Sequence, residues 1–242
     1  MPKIHRVIDD SDNQVIENGI LPNVRFFGLL IGKTGSSKTT LLVNMLASSE
    51  FPYDKIFEGD NIYIFSGSLE SDEKIQKLIE YKEIPPSNLH NSYDNNILNQ
   101  LYDDLEESYM EKKENNEKID YPLVILDDLS FVMTRSKEFS ALKRYAQNSR
   151  KLGISVLLTS QHYSQIPLAV RNNISFAVLY STSNRNLEQI ESEHNYLATK
   201  KEFYTMWHEN VKGKRDFILI NYDNDGKKIY LDKEFNNIFP ED

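Results

Sequence analysis

An unbroken apolar run, Phe26-Phe27-Gly28-Leu29-Leu30-Ile31, stops at Gly32, and Leu41, Leu42, Met45 and Leu46 then recur at helical spacing. A run with no polar face reads as a strand buried on both sides of a parallel sheet, so the chain here goes strand, glycine-containing turn, helix. The turn is Gly32-Lys33-Thr34-Gly35-Ser36-Ser37-Lys38-Thr39, which fits the Walker A pattern G-x-x-x-x-G-K-[ST] at every fixed position but one, with Ser37 in place of the second glycine. The context is what the chemistry needs: a buried strand delivers a loop whose N–H groups point inward, and a helix starts there with its positive end toward the phosphates. Lys38 would put an ammonium on the β and γ phosphates and Thr39 a hydroxyl on Mg²⁺, while Gly35 leaves room for the wrap. Ser37 is expected to sit close to helical geometry and so to be tolerated. The candidate set for ATP is Gly32, Lys33, Thr34, Gly35, Ser36, Ser37, Lys38, Thr39 and Thr40.

An NTPase also needs a carboxylate at the end of a neighbouring strand for the Mg²⁺ shell and a second to activate the attacking water. Leu123-Val124-Ile125-Leu126 is a second apolar run and ends in Asp127-Asp128. Asp127 is assigned to the metal and Asp128 to the water. Gln161 closes the next strand, Leu157-Leu158-Thr159-Ser160-Gln161, where its amide can reach the γ phosphate or the water.

Strand and helix signals alternate through the rest of the chain. A strand over 61–66 leads to a helix capped by Ser71 and running to about Glu80. Ile97, Leu98, Leu101, Leu105 and Met110 form one helical stripe, and the charges of 111–118 read as a solvated helix end or a mobile loop. A helix from about Ser136 to Leu152 feeds the strand that ends at Gln161, and 176–180 is a fifth run. Helices follow near 184–194 and 200–210. The segments 216–223 and 228–232, joined by Asp223-Asn224-Asp225-Gly226, suggest a β-hairpin on the sheet edge. The expected fold is α/β: a P-loop NTPase with a mainly parallel central sheet flanked by helices. Residues 1–23 read as an N-terminal arm and 24–242 as one ATPase domain, with a motif-bearing core at 24–183 and an extension at 184–242.

Composition narrows the chemistry. With no cysteine among 242 residues, thiol nucleophiles and cysteine-ligated metals are excluded. No apolar run approaches the roughly 20 residues that cross a bilayer, and the start lacks a signal-peptide core, so a protein that is neither secreted nor in a membrane is expected. Acidic residues outnumber basic ones 37 to 28, which confines any DNA contact to a local patch. Lys200-Lys201 and 212–215 (Lys-Gly-Lys-Arg) are the dense basic clusters.

Taken together, 32–39, 123–128 and the run Asn148-Ser149-Arg150-Lys151-Leu152-Gly153-Ile154-Ser155 leading to Gln161 resemble the FtsK/HerA superfamily of DNA-pumping ATPases. The likeness looks nearest to the genome-packaging ATPases of poxviruses, large nucleocytoplasmic DNA viruses and virophages, and it covers about residues 24–183. The resemblance implies a homo-oligomeric ring, usually a hexamer, with nucleotide between subunits. It also implies double-stranded DNA and a capsid or portal vertex as partners, and a place in the virion or in a viral factory of the host cytoplasm. Arg150 resembles the arginine finger that reaches a neighbour's γ phosphate, with Arg144 and Arg171 as rivals. Either basic cluster could line the pore. Two departures stand out, Ser37 for glycine and Asp128 for the more usual glutamate. Two other readings stay open: a P-loop kinase of a small molecule, although 111–118 has none of a lid's arginines, and a slow nucleotide-dependent switch or partitioning protein.

Overall fold

A computed structural model describes residues 20–128, 139–224 and 226–240. In chain order the strands are β1 (Phe27–Ile31), β2 (Ile62–Ser66), β3 (Leu89–His90), β4 (Leu123–Asp127), β5 (Ser155–Ser160), β6 (Phe176–Tyr180), β7 (Phe217–Asn221) and β8 (Tyr230–Leu231). The helices are α1 (Lys38–Ala47), α2 (Tyr53–Ile56), α3 (Glu73–Lys82), α4 (Asn95–Glu114), α5 (Ser140–Asn148), α6 (Leu168–Arg171), α7 (Asn184–His194) and α8 (Lys200–Asn210). All eight strands form one sheet in the order β3-β2-β4-β5-β1-β6-β7-β8. The first six positions pair in parallel, and β7 and β8 run antiparallel at one edge, so the expected hairpin is present. Its turn residue Asp225 lies outside the described residues.

The strands are apolar on both sides because both sides are covered. Phe27, Leu29 and Ile31 pack with α4, α5, α7 and α8, whereas Phe26 and Leu30 pack with α1, α2 and α3. Gly28 breaks this alternation for a steric reason: a Cβ there would lie 2.2 Å from the Phe176 ring. That ring meets Phe26 edge-on at 5.2 Å and fills the layer under α2.

Three details differ from the sequence reading, and one alternative that it left open is decided. Asp72, not Ser71, caps α3, accepting from the Lys74 N–H at 2.9 Å. In α4 the buried stripe is Leu98, Tyr102 and Leu105, while Ile97 and Met110 are exposed, because the true i, i+4, i+7 row excludes them. The charged residues through Glu114 continue that helix. Before β5 the chain tightens into a 3₁₀ turn, Ser149–Leu152, after α5 ends at Asn148; the expected start at Ser136 lies outside the described residues. Among the described residues no helix is long and apolar enough to cross a membrane.

A buried polar knot joins the 3₁₀ turn Tyr163–Gln165 that follows β5, the end of α7 and the C-terminal hairpin. His194 bonds the Tyr163 and Tyr222 hydroxyls through its two ring nitrogens, and Tyr230 donates to its carbonyl. Arg171 clamps Glu193 with Nε and Nη2, each at 2.9 Å. Burial pushes the His194 pKa down to about 4, with Glu193 opposing and Arg171 reinforcing the shift. An unfolded histidine titrates near 6.5, so the unfolded chain takes up the proton first. Stability is therefore full above about pH 6.5 and falls by roughly 3 kcal/mol as pH drops toward 4. Glu193, held below the usual carboxylate range against the opposing effect of burial, adds a loss of the same sign at lower pH. Urea midpoints measured between pH 7 and 4.5 are expected to fall steeply for the wild type and less so for His194→Gln. Equal slopes would contradict this account.

Candidate active site

The carboxyl ends of β1, β4 and β5 point the same way, and the sequence-predicted residues gather there, as ligand sites do on open α/β sheets. Gly32 extends the ladder by donating its N–H to the Ser160 carbonyl at 3.0 Å. The chain then turns through positive φ at Gly35 (+76°) and again at Ser37 (+81°) before α1 begins. Backbone of this kind directs successive N–H groups into one concavity. The Ser37 backbone is thus left-handed, contrary to the helical geometry expected of it. A serine there carries about 1 kcal/mol of strain that glycine would avoid. The neighbouring Ser36 hydroxyl is buried and has no hydrogen-bond partner among the described residues.

Lys38, the first residue of α1, folds back so that Nζ donates to the Gly32 carbonyl at 2.6 Å. Burial lowers its pKa, and the nearby Asp128 and Asp127 partly offset that. A cavity of about 250 Å³ opens over the loop, bounded by 34–39, by Ser68, Asp72 and Lys74 at the start of α3, and by Asp127, Asp128 and Thr159. Thr39 lines it. Thr40 does not; its hydroxyl accepts instead from Lys74 at 2.9 Å. A larger cavity of about 460 Å³ lies between β2 and α4, around Tyr63, Leu101 and Asp104, and contains none of the predicted site residues.

The acidic strand is not beside β1. Strand β5 lies between them, which brings Gln161 between the loop and the acids. Its Nε2 donates to Asp128 Oδ2 at 3.0 Å, and its Oε1 accepts from the Thr34 hydroxyl at 3.3 Å. Asp127 ends β4 with both carboxylate oxygens engaged, Oδ1 by Thr159 at 2.7 Å and Oδ2 by Ser66 at 3.1 Å. Burial raises its pKa and these two bonds counter the rise. Thr159 also accepts the Asp128 N–H at 2.9 Å, and Asp128 adopts positive φ (+47°). Ser66 and Thr159 escaped the sequence reading. Their signal was available, a hydroxyl near the end of each of two otherwise apolar runs flanking Asp127.

The residues fit a triphosphate: a loop turned by positive φ at 35 and 37, a lysine, a buried serine hydroxyl without a partner among the described residues and two carboxylates share one concavity. Among the described residues no group of three His, Asp or Glu could hold a metal alone. A divalent ion here would therefore be shared with phosphate oxygens, the ordinary habit of Mg²⁺, with Thr39 and Asp127 on the protein side.

Arg150 lies at the opposite end of β5, in the 3₁₀ turn, with its side chain 54% exposed and Asp223 at 3.9 Å as its ion-pair partner among the described residues. Its rivals are occupied within the chain. Arg144 pairs with Asp103 at 2.6 Å and Glu106 at 3.1 Å and lies over the Tyr102 ring, and Arg171 holds Glu193. Of the basic clusters, Lys200 pairs with Glu191 at 3.1 Å. The 212–215 turn stands beside the 32–39 loop.

Residues 17–234 match the family model described as Poxvirus A32 protein. No curated protein sequence matches the chain. Among solved structures, the chain is similar to B204, the DNA-packaging ATPase from Sulfolobus Turreted Icosahedral Virus, with a TM-score of 0.56 and 17% identity over 86% of this chain and 97% of that one. It is similar to the genome packaging NTPase B204 from Sulfolobus turreted icosahedral virus 2 in complex with AMP, with a TM-score of 0.55 and 12% identity over 82% and 93% of the two chains. EssC (ATPases 2 and 3) from Geobacillus thermodenitrificans is also similar, with a TM-score of 0.53 and 17% identity over 69% of this chain and 34% of that one. At these identities the likeness concerns the fold, that of P-loop NTPases.

Proposed function

We infer that this chain, which belongs to the poxvirus A32 protein family, is an ATPase of the FtsK/HerA type that drives double-stranded DNA into a preformed capsid. The observation that carries the catalytic part is the relay Thr34–Gln161–Asp128, which ties the phosphate loop to an acid. The family, and the likeness in fold to the DNA-packaging ATPase B204, support the DNA part.

In this reading the main-chain N–H groups of 33–39 hold the triphosphate. Lys38 leaves the Gly32 carbonyl for the β and γ phosphates, a short move because its Nζ already lies over the loop. Thr39 and Asp127 would hold Mg²⁺, which when bound would supply charge neutralisation on the transferring phosphoryl group. Thr159 and Ser66 fix the Asp127 carboxylate, and their bonds oppose the rise in pKa that burial causes. Asp128 accepts a proton from the attacking water, and Gln161 senses through Thr34 whether the γ phosphate is present. Arg150, exposed and far from its own loop, serves the site of the next subunit in a ring, a hexamer by the family habit. DNA passes through the ring at a capsid or portal vertex, in the virion or in a viral factory of the host cytoplasm.

Phosphate release measured with and without linear double-stranded DNA tests this. DNA is expected to raise the rate several-fold, at protein concentrations where the oligomer forms. An unchanged rate there, or transfer of the phosphoryl group to a metabolite, would overturn the translocase reading.

A further inference from the structure

The turn between α8 and β7 lies at the same end of the sheet as the phosphate loop, because β7 runs antiparallel to β6 and Phe217 pairs with Tyr180. A Cβ on Gly35 would lie 2.7 Å from Lys214 Nζ and 3.3 Å from its Cε, so the ammonium is pressed against the middle of the loop. The turn is braced in this place. The Gly213 N–H donates to Asp216 Oδ2 at 2.6 Å, and Lys233 holds Oδ1 at 2.9 Å. Phe217 packs edge-on to the Tyr180 ring at 5.2 Å, and the Tyr180 hydroxyl donates to the Ser37 carbonyl at 3.4 Å. Lys214 has no carboxylate partner among the described residues. The Lys214 ammonium stands against the Gly35 edge of the loop, outside the residues that line the cavity, and with Lys38 in that loop at the positive end of α1 it makes a concentration of like charge that an anion would relieve.

We propose that Lys214 is a second cationic contact to the bound nucleotide, reaching the β-phosphate region of the triphosphate from the α8–β7 turn of the same chain. The inference rests on the ATPase reading above and deepens it. Position 35 is the midpoint of the wrap, so the contact is to the polyphosphate tail and not to the base or ribose. It also gives the 212–215 cluster a use other than lining a DNA pore, and it makes the extension beyond residue 183 part of the nucleotide site. Gly35 is favoured by its backbone, whose φ of +76° strains a side chain, and a Cβ there would also meet the end of Lys214.

Equilibrium titration of the full chain with AMPPCP and with AMP, for wild type, Lys214→Ala and Lys214→Arg, tests the proposal. Lys214→Ala is expected to weaken AMPPCP binding about tenfold, as loss of one charge-assisted bond does. AMP binding should change less than threefold, and Lys214→Arg should keep most of the AMPPCP affinity. Equal weakening of both nucleotides together with a lowered Tm would mark Lys214 as merely structural and overturn the proposal. Unchanged AMPPCP affinity with weakened binding of double-stranded DNA would overturn it in favour of the pore. If the wild type itself binds neither nucleotide, the ATPase reading fails first, and the two failures are thereby told apart.

Discussion

Asp128→Asn is expected to bind ATP as tightly as the wild type and to hydrolyse it about 10²–10⁴-fold more slowly, the range that a positioned general base contributes. Asparagine keeps the shape of the side chain, and its carbonyl oxygen can still accept from Gln161 Nε2, so the relay to Thr34 survives in geometry. What disappears is a basic oxygen for the proton of the attacking water. Lys38→Ala makes the contrast, because it removes the charge that meets the phosphates and should lose binding as well as turnover. Filter binding of labelled nucleotide beside single-turnover phosphate release separates the two. Turnover of Asp128→Asn within threefold of wild type would move water activation to another residue.

Arg150→Ala is expected to lower ATPase activity about 10³-fold with nucleotide binding intact, the scale on which an arginine finger acts. The choice among the three arginines is structural. Withdrawing Arg144 would strand Asp103 and Glu106 and uncover the Tyr102 ring, and withdrawing Arg171 would leave the Glu193 carboxylate without its clamp. Among the described residues, Arg150 gives up a 3.9 Å contact with Asp223. If Arg150 is a finger acting on a neighbour, mixing Arg150→Ala subunits with Asp128→Asn subunits should restore activity that neither has alone. In such a mixture the Arg150→Ala site is intact and receives its arginine from the Asp128→Asn subunit. A mixture that stays inactive at concentrations where the ring forms would exclude Arg150.

Local pattern made much of this site legible. The run 26–31, the loop and the spacing of Leu42, Met45 and Leu46 concern neighbours in the chain, and the fold places them as the periodicity indicates. Gln161 was legible because it ends an apolar run near an acidic one. Strand order was not, since the insertion of β5 between β1 and β4 is a long-range choice on which periodicity is silent. Nor was the left-handed turn at Ser37: the residue's identity argues against that dihedral, and only the closure of the loop imposes it. Two-residue β3 is too short to leave a pattern. Ile97 and Met110 misled because a stripe counted over five apolar residues is wider than the face that α4 buries. Lys214 was visible only as one member of a basic cluster, and its neighbour Gly35 lies far away in sequence but adjacent across the sheet end.

The most direct test of the central claim is a crystal structure of the Asp128→Asn chain with ATP and Mg²⁺, which slow turnover makes accessible. The triphosphate is predicted to lie in the concavity of 33–39, with Lys38 Nζ moved from the Gly32 carbonyl onto phosphate and the metal between Thr39 and Asp127. A nucleotide seated instead in the cavity beside α4, or a loop in which Lys38 still bonds Gly32, would contradict it.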